Sequence, residues 1–220
     1  MPAIVFDLDG TLVDSAPDLH MAAVIMAGSL GIAEPTLKEV TSYIGNGIPM
    51  LVRRCLTAAG IAENDEILDQ AVKVFMESYG RAPADLTVPY PGVADALTVL
   101  SGSGAPLGVC TNKAEAMATL VLEGTGLLPF FDVVIGGDRL AWRKPDPRPL
   151  TQAVSDLGGT VSESIYVGDS EVDAETAKAA GIRFALYSGG YRKTPVSELP
   201  HDFLFEKFAD LPGFCLSDRS

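Results

Sequence analysis

Two aspartates stand two residues apart, directly after a short apolar run near the start of the chain. Asp7 and Asp9 follow Ile4-Val5-Phe6, and Gly10 behind them permits a tight turn. Carboxylates this close repel each other unless a cation lies between them. The pair therefore indicates a cation-assisted site, and the alternative interpretation is a cap on the turn that follows.

Polar side chains also follow two later segments of the chain. Thr111 and Asn112 come after an apolar run, where a hydroxyl and an amide near a helix start suit a phosphoryl oxygen. Lys144 precedes Pro145, which restricts the backbone and could hold an ammonium that neutralises phosphate charge. The alternatives are an ordinary helix cap and a solvated lysine in a proline-rich turn.

A second pair of acids follows another apolar run. Asp169 ends that run, and Asp173 lies about one helical turn further on. Carboxylate oxygens suit Mg²⁺, which keeps several waters and takes ligands from its substrate. The alternative is stabilisation of a helix N-terminus by acidic residues. All these groups would converge on one point if the segments end at the same edge of a sheet, which favours a metal and an anion there.

The chain between these residues alternates short apolar runs with helical patterns. Helical spacing predicts helices near 93–100, after Asn112, at 148–157 and at 171–180. Strands that alternate with helices predict an α/β fold with a Rossmann-like parallel sheet. The runs that predict buried strands are Ala3–Phe6, Pro106–Cys110, Asp132–Ile135, Ser164–Val167 and Arg183–Leu186.

One long stretch shows helical spacing without a strand pattern. Three helices are predicted in it, around 19–30, 51–56 and 67–79. We therefore predict a core of residues 1–14 and 85–220 with a helical insert of residues 15–84. Within the insert, exposed N–H groups of Gly45, Asn46 and Gly47 before a helix could bind a substrate carboxylate. A simple glycine turn is the alternative.

Composition indicates which classes of binding partner are unfavourable and in which cell compartment the protein is expected. The formal net charge is −13, so neither nucleic acid nor an anionic membrane is an expected partner. The three cysteines are far apart in sequence, which predicts reduced thiols. No apolar run approaches the ~20 residues of a membrane helix, and no signal-peptide pattern precedes Asp7. The expected location is the cytoplasm, as a monomer or a homodimer.

The chain resembles the haloacid dehalogenase superfamily, in the subgroup with an α-helical cap. The matching segments are Asp7–Ser15, Thr111-Asn112, Lys144-Pro145, and Gly168-Asp169 with Asp173. The resemblance implies that Asp7 attacks phosphorus, ionised at neutral pH without help, and that Asp9 exchanges protons with the leaving group and water. It also implies Mg²⁺ held by the Asp7 carboxylate, the Asp9 carbonyl and Asp169.

The same resemblance gives roles to the remaining polar residues. Lys144 would balance charge, while Thr111 and the Asn112 N–H would hold phosphoryl oxygens. Asp173 would orient Lys144 or a metal-bound water. Segments 11–19, 43–47, 90–93 and 168–181 are similar to those of bacterial phosphoglycolate phosphatases, which implies a small phosphorylated metabolite, 2-phosphoglycolate, as substrate. The alternatives are another phosphatase or a phosphomutase of the superfamily and, more remotely, a phospho-accepting signalling module.

Overall fold

The computed structural model describes residues 2–62 and 64–217 and consists of strands and helices in alternation. Its strands are β1 (Ile4–Phe6), β2 (Val13–Asp14), β3 (Val88–Pro89), β4 (Leu107–Cys110), β5 (Val133–Ile135), β6 (Ile165–Gly168), β7 (Arg183–Tyr187) and β8 (Phe203–Phe205). Its α-helices are α1 (Ala16–Leu30), α2 (Leu37–Tyr43), α3 (Ile48–Ala58), α4 (Asp65–Tyr79), α5 (Val93–Gly102), α6 (Glu115–Gly124), α7 (Arg148–Asp156), α8 (Glu171–Ala180) and α9 (Leu211–Leu216).

Six of the strands form one parallel sheet in the order β5-β4-β1-β6-β7-β8. In the centre, Val5 of β1 pairs with Gly108 of β4 on one side and with Tyr166 of β6 on the other. Apolar clusters pack against both faces of the sheet, which explains why the strands are continuous apolar runs. The predicted α/β fold with a parallel sheet is confirmed.

The strand predictions were right in the middle of the sheet and incomplete elsewhere. The five predicted strands are present within one residue of their predicted ends. Strand β8 was missed because it is a three-residue edge strand that pairs with β7 alone. The antiparallel ribbon of β2 and β3 was also missed, since two residues per strand carry no periodic signal. Leu127, expected on the helix after Asn112, lies beyond the end of α6.

The segment between β2 and β3 is helical, as predicted, with four α-helices instead of three. The missed helix, α2, begins with a capping box between Thr36 and Glu39 and buries Val40. Helices α1–α4, here called the helical insert, share an apolar cluster around Leu19, Met26, Val52 and Phe75. The exact division of the chain at 15 and 84 stays a prediction. Met1, Glu63 and residues 218–220, which that division includes, lie outside the described residues.

Two polar contacts fix the helical insert to its connections with the sheet. The Asp18 carboxylate accepts hydrogen bonds from the backbone N–H groups of Leu86 and Thr87 and from the Thr87 hydroxyl. The Tyr191 hydroxyl donates to Asp14 at 2.6 Å and accepts from the N–H groups that open α1. Both ends of the insert are therefore bound where they meet the core.

The three cysteines, Cys55, Cys110 and Cys215, are buried free thiols, as the sequence predicts. Burial raises the pKa of the Cys55 thiol to about 11. None of the helices within residues 2–62 and 64–217 combines the length and the apolar character needed to span a bilayer.

Candidate active site

The predicted polar groups meet at one edge of the sheet because they follow the carboxyl ends of neighbouring parallel strands. Asp7 follows β1, Thr111 and Asn112 follow β4, and Asp169 follows β6. These strands are adjacent in the sheet, with β1 in the middle. The structure therefore brings together residues that are up to 162 positions apart in the sequence.

Lys144 lies in the centre of this group as a buried ammonium. Its Nζ is 2.8 Å from Asp7 Oδ1 and 2.7 Å from Asp173 Oδ1. Burial acts to lower the pKa of Lys144, but the two carboxylates more than compensate and hold that pKa above its ordinary value. Lys144 therefore remains a cation between the two acids.

The Asn112 side chain holds the backbone of Lys144 in place. Its Oδ1 accepts from the Lys144 N–H at 3.0 Å, and its Nδ2 donates to the Lys144 carbonyl at 3.0 Å. Nδ2 also donates to the Gly45 carbonyl of the helical insert at 2.9 Å. The side-chain amide is thus occupied by backbone groups, so only the backbone N–H of Asn112 fits the predicted contact to phosphate.

Tyr166 completes the environment of Lys144 and was not identified from the sequence. Its hydroxyl accepts from Lys144 Nζ at 2.8 Å and donates to Asp173 Oδ1 at 2.7 Å. Tyr166 is fully buried in the central strand β6. A tyrosine in a strand covered on both faces needs a partner for its hydroxyl, and that requirement was the available signal.

Asp169 is held by hydrogen bonds on both carboxylate oxygens. The Thr11 hydroxyl donates to Oδ1 at 2.8 Å, and the Tyr191 N–H donates to Oδ2 at 2.7 Å. Gly10 has a φ of +90° beside it, and a Cβ there would lie 2.7 Å from Asp169 Oδ2. A glycine is therefore required for the backbone to pass this carboxylate.

Three of these carboxylates form a group that fits a divalent cation. One oxygen from each of Asp7, Asp169 and Asp173 lies within 4.8 Å of the others. Burial, with the neighbouring acids, raises the pKa of Asp7 to about 7 and that of Asp169 well above its ordinary value. A cation would reverse both changes.

Asp173 differs from the other two acids because each of its oxygens accepts two hydrogen bonds. Oδ1 accepts from Lys144 and Tyr166, and Oδ2 accepts from the Ser170 hydroxyl and N–H. Although burial acts to raise it, Lys144 keeps the pKa of Asp173 below its ordinary value. This geometry fits the predicted role of orienting Lys144, and it leaves Asp7 and Asp169 as the carboxylates available to a metal.

The expectation that Asp7 is ionised at neutral pH without help is wrong for the metal-free protein. Its side chain is 11% exposed, and the cost of burying its charge outweighs the attraction of Lys144. The resulting pKa of about 7 leaves an appreciable protonated fraction at neutral pH. Burial could not be assessed from the sequence, which shows only that Asp7 follows an apolar run.

Asp9 lies apart from the group of Asp7, Asp169 and Asp173. Its carboxylate accepts from Lys113 Nζ at 3.0 and 2.9 Å and from the Ser15 hydroxyl at 2.5 Å. This arrangement agrees with a metal contact through the Asp9 carbonyl, since the carboxylate is engaged elsewhere. Lys113 was not assigned a role from the sequence, although it directly follows Thr111 and Asn112.

The turn at Gly45, Asn46 and Gly47 faces the aspartates from the helical insert. Gly45 and Gly47 line a pocket together with Asp7, Asp9 and the segment 111–113, and Gly47 directly precedes α3. The Asn46 Oδ1 accepts from Arg54 at 2.8 Å, which braces the turn from within the insert. The two sets of residues that the sequence predicted separately therefore share one pocket.

Comparisons with known proteins agree with this geometry. The family model of haloacid dehalogenase-like hydrolases matches residues 4–187. The chain is 49% identical over 212 residues to a phosphoglycolate phosphatase of Cereibacter sphaeroides, covering 96% of each protein, and 41% identical to one of Rhodobacter capsulatus. It superimposes with a TM-score of 0.92 on a crystal structure from Haemophilus somnus described as a predicted phosphoglycolate phosphatase, at 28% identity and 97% coverage of both chains. The chain belongs to the haloacid dehalogenase-like hydrolase family, as its motifs predict.

Proposed function

We propose that this protein is a Mg²⁺-dependent phosphatase that hydrolyses 2-phosphoglycolate through an aspartyl-phosphate on Asp7. The observation that carries the proposal is the pairing of Asp7 with the buried ammonium of Lys144 beside Asp169, at a pocket that Asp7 lines together with Gly45 and Gly47 of the insert. Relatives that are 40–49% identical over most of their length are named phosphoglycolate phosphatase, which supports this substrate.

In the first step, an Asp7 carboxylate oxygen attacks phosphorus and the bond from phosphorus to the ester oxygen breaks. Asp9 donates its proton to the departing glycolate oxygen, so the product is a neutral hydroxyl and the Asp9 carboxylate is left ionised. Lys144 balances the negative charge on Asp7 and on the phosphoryl group. Thr111 and the Asn112 N–H bind the phosphoryl oxygens that do not react.

In the second step, a water oxygen attacks the same phosphorus and the bond to Asp7 breaks. The Asp9 carboxylate takes the proton of that water, which restores the acid form for the next cycle. Asp7 returns as a free carboxylate and inorganic phosphate leaves. Asp173 acts through Lys144, because its Oδ1 holds the ammonium at 2.7 Å while the same ammonium contacts Asp7 at 2.8 Å.

Mg²⁺ would be held by the Asp7 carboxylate, the Asp9 carbonyl and Asp169, where it would offset the negative charge of nucleophile and phosphate. Of the side chains in this set, Asp7 and Asp169 both have a buried carboxylate whose charge is costly, and burial raises the pKa of both. Both charges are unfavourable in a metal-free protein and favourable beside a cation. The protein's own contribution is to keep these acids fixed and buried.

The turn at Gly45, Asn46 and Gly47 is proposed to bind the carboxylate of the substrate. The N-terminus of α3 presents backbone N–H groups and a positive dipole, which suit an anion. Gly47 has a φ of +81°, a conformation that proline cannot adopt. We expect Gly47→Pro to raise KM for 2-phosphoglycolate and to leave KM for 2-hydroxyethyl phosphate, which lacks the carboxylate, nearly unchanged. An equal change for both esters would contradict this assignment.

The pocket between the insert and the aspartates has a cavity volume of about 30 Å³. A space of this size admits a few water molecules and is smaller than a phosphate ester. We therefore expect the helical insert to shift when a phosphate ester enters. The insert would then close over the substrate and exclude bulk water during the reaction.

The test is phosphate release over a panel of small phosphate esters with Mg²⁺. We expect kcat/KM for 2-phosphoglycolate to exceed that for the longer 3-phosphoglycerate by at least about tenfold, because the pocket is small. Asp7→Asn should abolish turnover while leaving the fold intact. A phosphomutase would release almost no phosphate, and a different preferred ester would assign the same chemistry to another metabolite. The cytoplasmic location, the monomeric or homodimeric state and the lack of nucleic-acid or membrane partners stay predictions.

A further inference from the structure

The Asp9 carboxylate forms an ion pair with a buried lysine that has no role in the mechanism proposed above. Lys113 Nζ lies 3.0 Å from Asp9 Oδ1 and 2.9 Å from Oδ2, so it contacts both oxygens. The Lys113 side chain is 2% exposed and that of Asp9 is 12% exposed. A buried ammonium is costly unless it is paired, so this contact is a strong constraint on both groups.

The backbone of Lys113 is itself fixed on two sides. Its N–H donates to the Thr111 hydroxyl at 3.2 Å, and its carbonyl accepts from the Gly137 N–H at 2.8 Å. Lys113 follows the central strand β4 by three residues. The ammonium therefore extends from a rigid point of the core, and it can set the position of the more exposed Asp9 carboxylate.

The other side of the ammonium is covered by the helical insert. The ring of Tyr79, at the end of α4, lies 5.0 Å from Lys113 Nζ. This distance is within the range of a cation–π contact. Tyr79 is 1% exposed, and its hydroxyl has no hydrogen-bond partner among the described residues. Tyr79 therefore screens this buried ammonium from solvent.

We propose that Lys113 is a positioning residue that fixes the Asp9 carboxylate for proton transfer, and that the Tyr79 ring shields this pair from water when the insert covers the site. This inference rests on the proposed function, in which Asp9 protonates the leaving oxygen. A displaced Asp9 would still leave Asp7, Lys144 and the phosphate contacts in place. The defect should therefore appear in proton transfer and not in substrate binding.

The first test varies the leaving group in Lys113→Met, with the exposed Lys73→Met on α4 as the matched control. General acid–base catalysis is worth roughly 10²–10⁴-fold, and misplacing the group by an ångström loses part of that. We expect kcat for 2-phosphoglycolate to fall roughly 10- to 100-fold with less than about a threefold change in KM. Lys73→Met should match the wild type.

An aryl phosphate distinguishes misplaced proton transfer from general damage. Nitrophenolate leaves without a proton, so formation of the aspartyl-phosphate no longer needs Asp9 as an acid. The second step still needs Asp9 to take a proton from water. With p-nitrophenyl phosphate, rapid mixing of Lys113→Met should therefore show a burst of about one nitrophenolate per active site, followed by slow turnover. A burst lost together with the steady-state rate would overturn the proposal.

A double-mutant cycle tests independently whether Lys113 acts through Asp9. If Lys113 acts only through Asp9, adding Lys113→Met to Asp9→Asn should not slow the steady-state turnover of p-nitrophenyl phosphate further. Multiplying defects would show that Lys113 acts elsewhere and would refute the inference. Tyr79→Leu, which removes the ring, should lower kcat with little change in KM, and an unchanged kcat would contradict the shielding role of the ring. A wild type inactive on every ester would instead refute the proposed function.

Discussion

Replacing Asp7 with asparagine is expected to stabilise the metal-free protein as the pH rises, although Asp7 is the proposed nucleophile. The Asp7 carboxylate is buried, and its Oδ1 lies 2.8 Å from Lys144 Nζ. Asparagine has nearly the same shape and no charge to bury. Lys144 keeps Asp173 as a carboxylate partner in the variant, so the ammonium is not left unpaired.

The magnitude follows from the pKa of Asp7, which burial raises from 3.8 to about 7 despite the opposing attraction of Lys144. The folded state binds the proton more tightly than the unfolded state, so stability is fully present below pH 3.8 and is lost as the pH rises to about 7. This loss amounts to about 4 kcal/mol, and about 2.5 kcal/mol of it falls between pH 5 and pH 8. Asp7→Asn removes the whole dependence.

Urea and thermal unfolding in a chelating buffer at pH 5 and pH 8 would measure this difference. The stability of Asp7→Asn relative to the wild type should increase by about 2.5 kcal/mol between the two pH values, or roughly 5–10 °C in Tm. Asp69→Asn, at an exposed position on α4, should show no such increase. Mg²⁺ should raise the wild-type Tm far more than that of Asp7→Asn. A constant difference between pH 5 and pH 8 would refute the reasoning.

Three further substitutions test contacts outside the nucleophile. Tyr166→Phe removes a hydrogen bond from the buried Lys144, so the free energy of unfolding in urea should fall by about 1–3 kcal/mol and kcat should fall as well. Unchanged values would show that the hydroxyl is dispensable. Asp18→Asn removes a carboxylate oxygen that accepts from the N–H and the hydroxyl of Thr87, so the free energy of unfolding in urea should fall by about 1–2 kcal/mol. An unchanged urea midpoint would contradict this expectation. Thr36→Ala breaks the capping box of α2, so the stability measured by thermal unfolding should fall by about 1 kcal/mol without a change in kcat. A lower kcat would show that α2 contributes to the reaction.

The sheet could be predicted from the sequence because its strands are buried on both faces. Continuous apolar runs such as Ile165–Gly168 mark the centre of the sheet, and the polar residues Asp7, Thr111 and Asp169 after three of these runs mark its carboxyl edge. This signal fails where a strand is short or lies at an edge, as at Phe203–Phe205. It also fails for α2, where a single buried residue, Val40, gives no periodicity.

The types of residue in the candidate site could be predicted from the sequence, but most of the contacts between their side chains could not. Topology alone brings Asp7 near Asp169, since β1 and β6 are neighbours in a parallel sheet. The partner of Asp9 could not be derived in this way, because Lys113 lies 104 residues away and its direction depends on side-chain packing. The same limit applies to Tyr166, because its hydroxyl contacts Lys144, which lies in a loop outside the sheet.

The two aspartates after β1 are separated by their lysines, and this separation explains how neighbouring acids can have different roles. Lys144 holds Asp7 in a buried setting where its pKa is about 7, so its ionisation depends on a bound cation. Lys113 holds Asp9 through both carboxylate oxygens and contacts Tyr79 of the insert on its other side. An acid that must attack and an acid that must exchange a proton need different surroundings. Two fixed ammonium groups from different parts of the chain provide them, and exchanging Asp7 for Asn should therefore leave the contact between Lys113 and Asp9 intact.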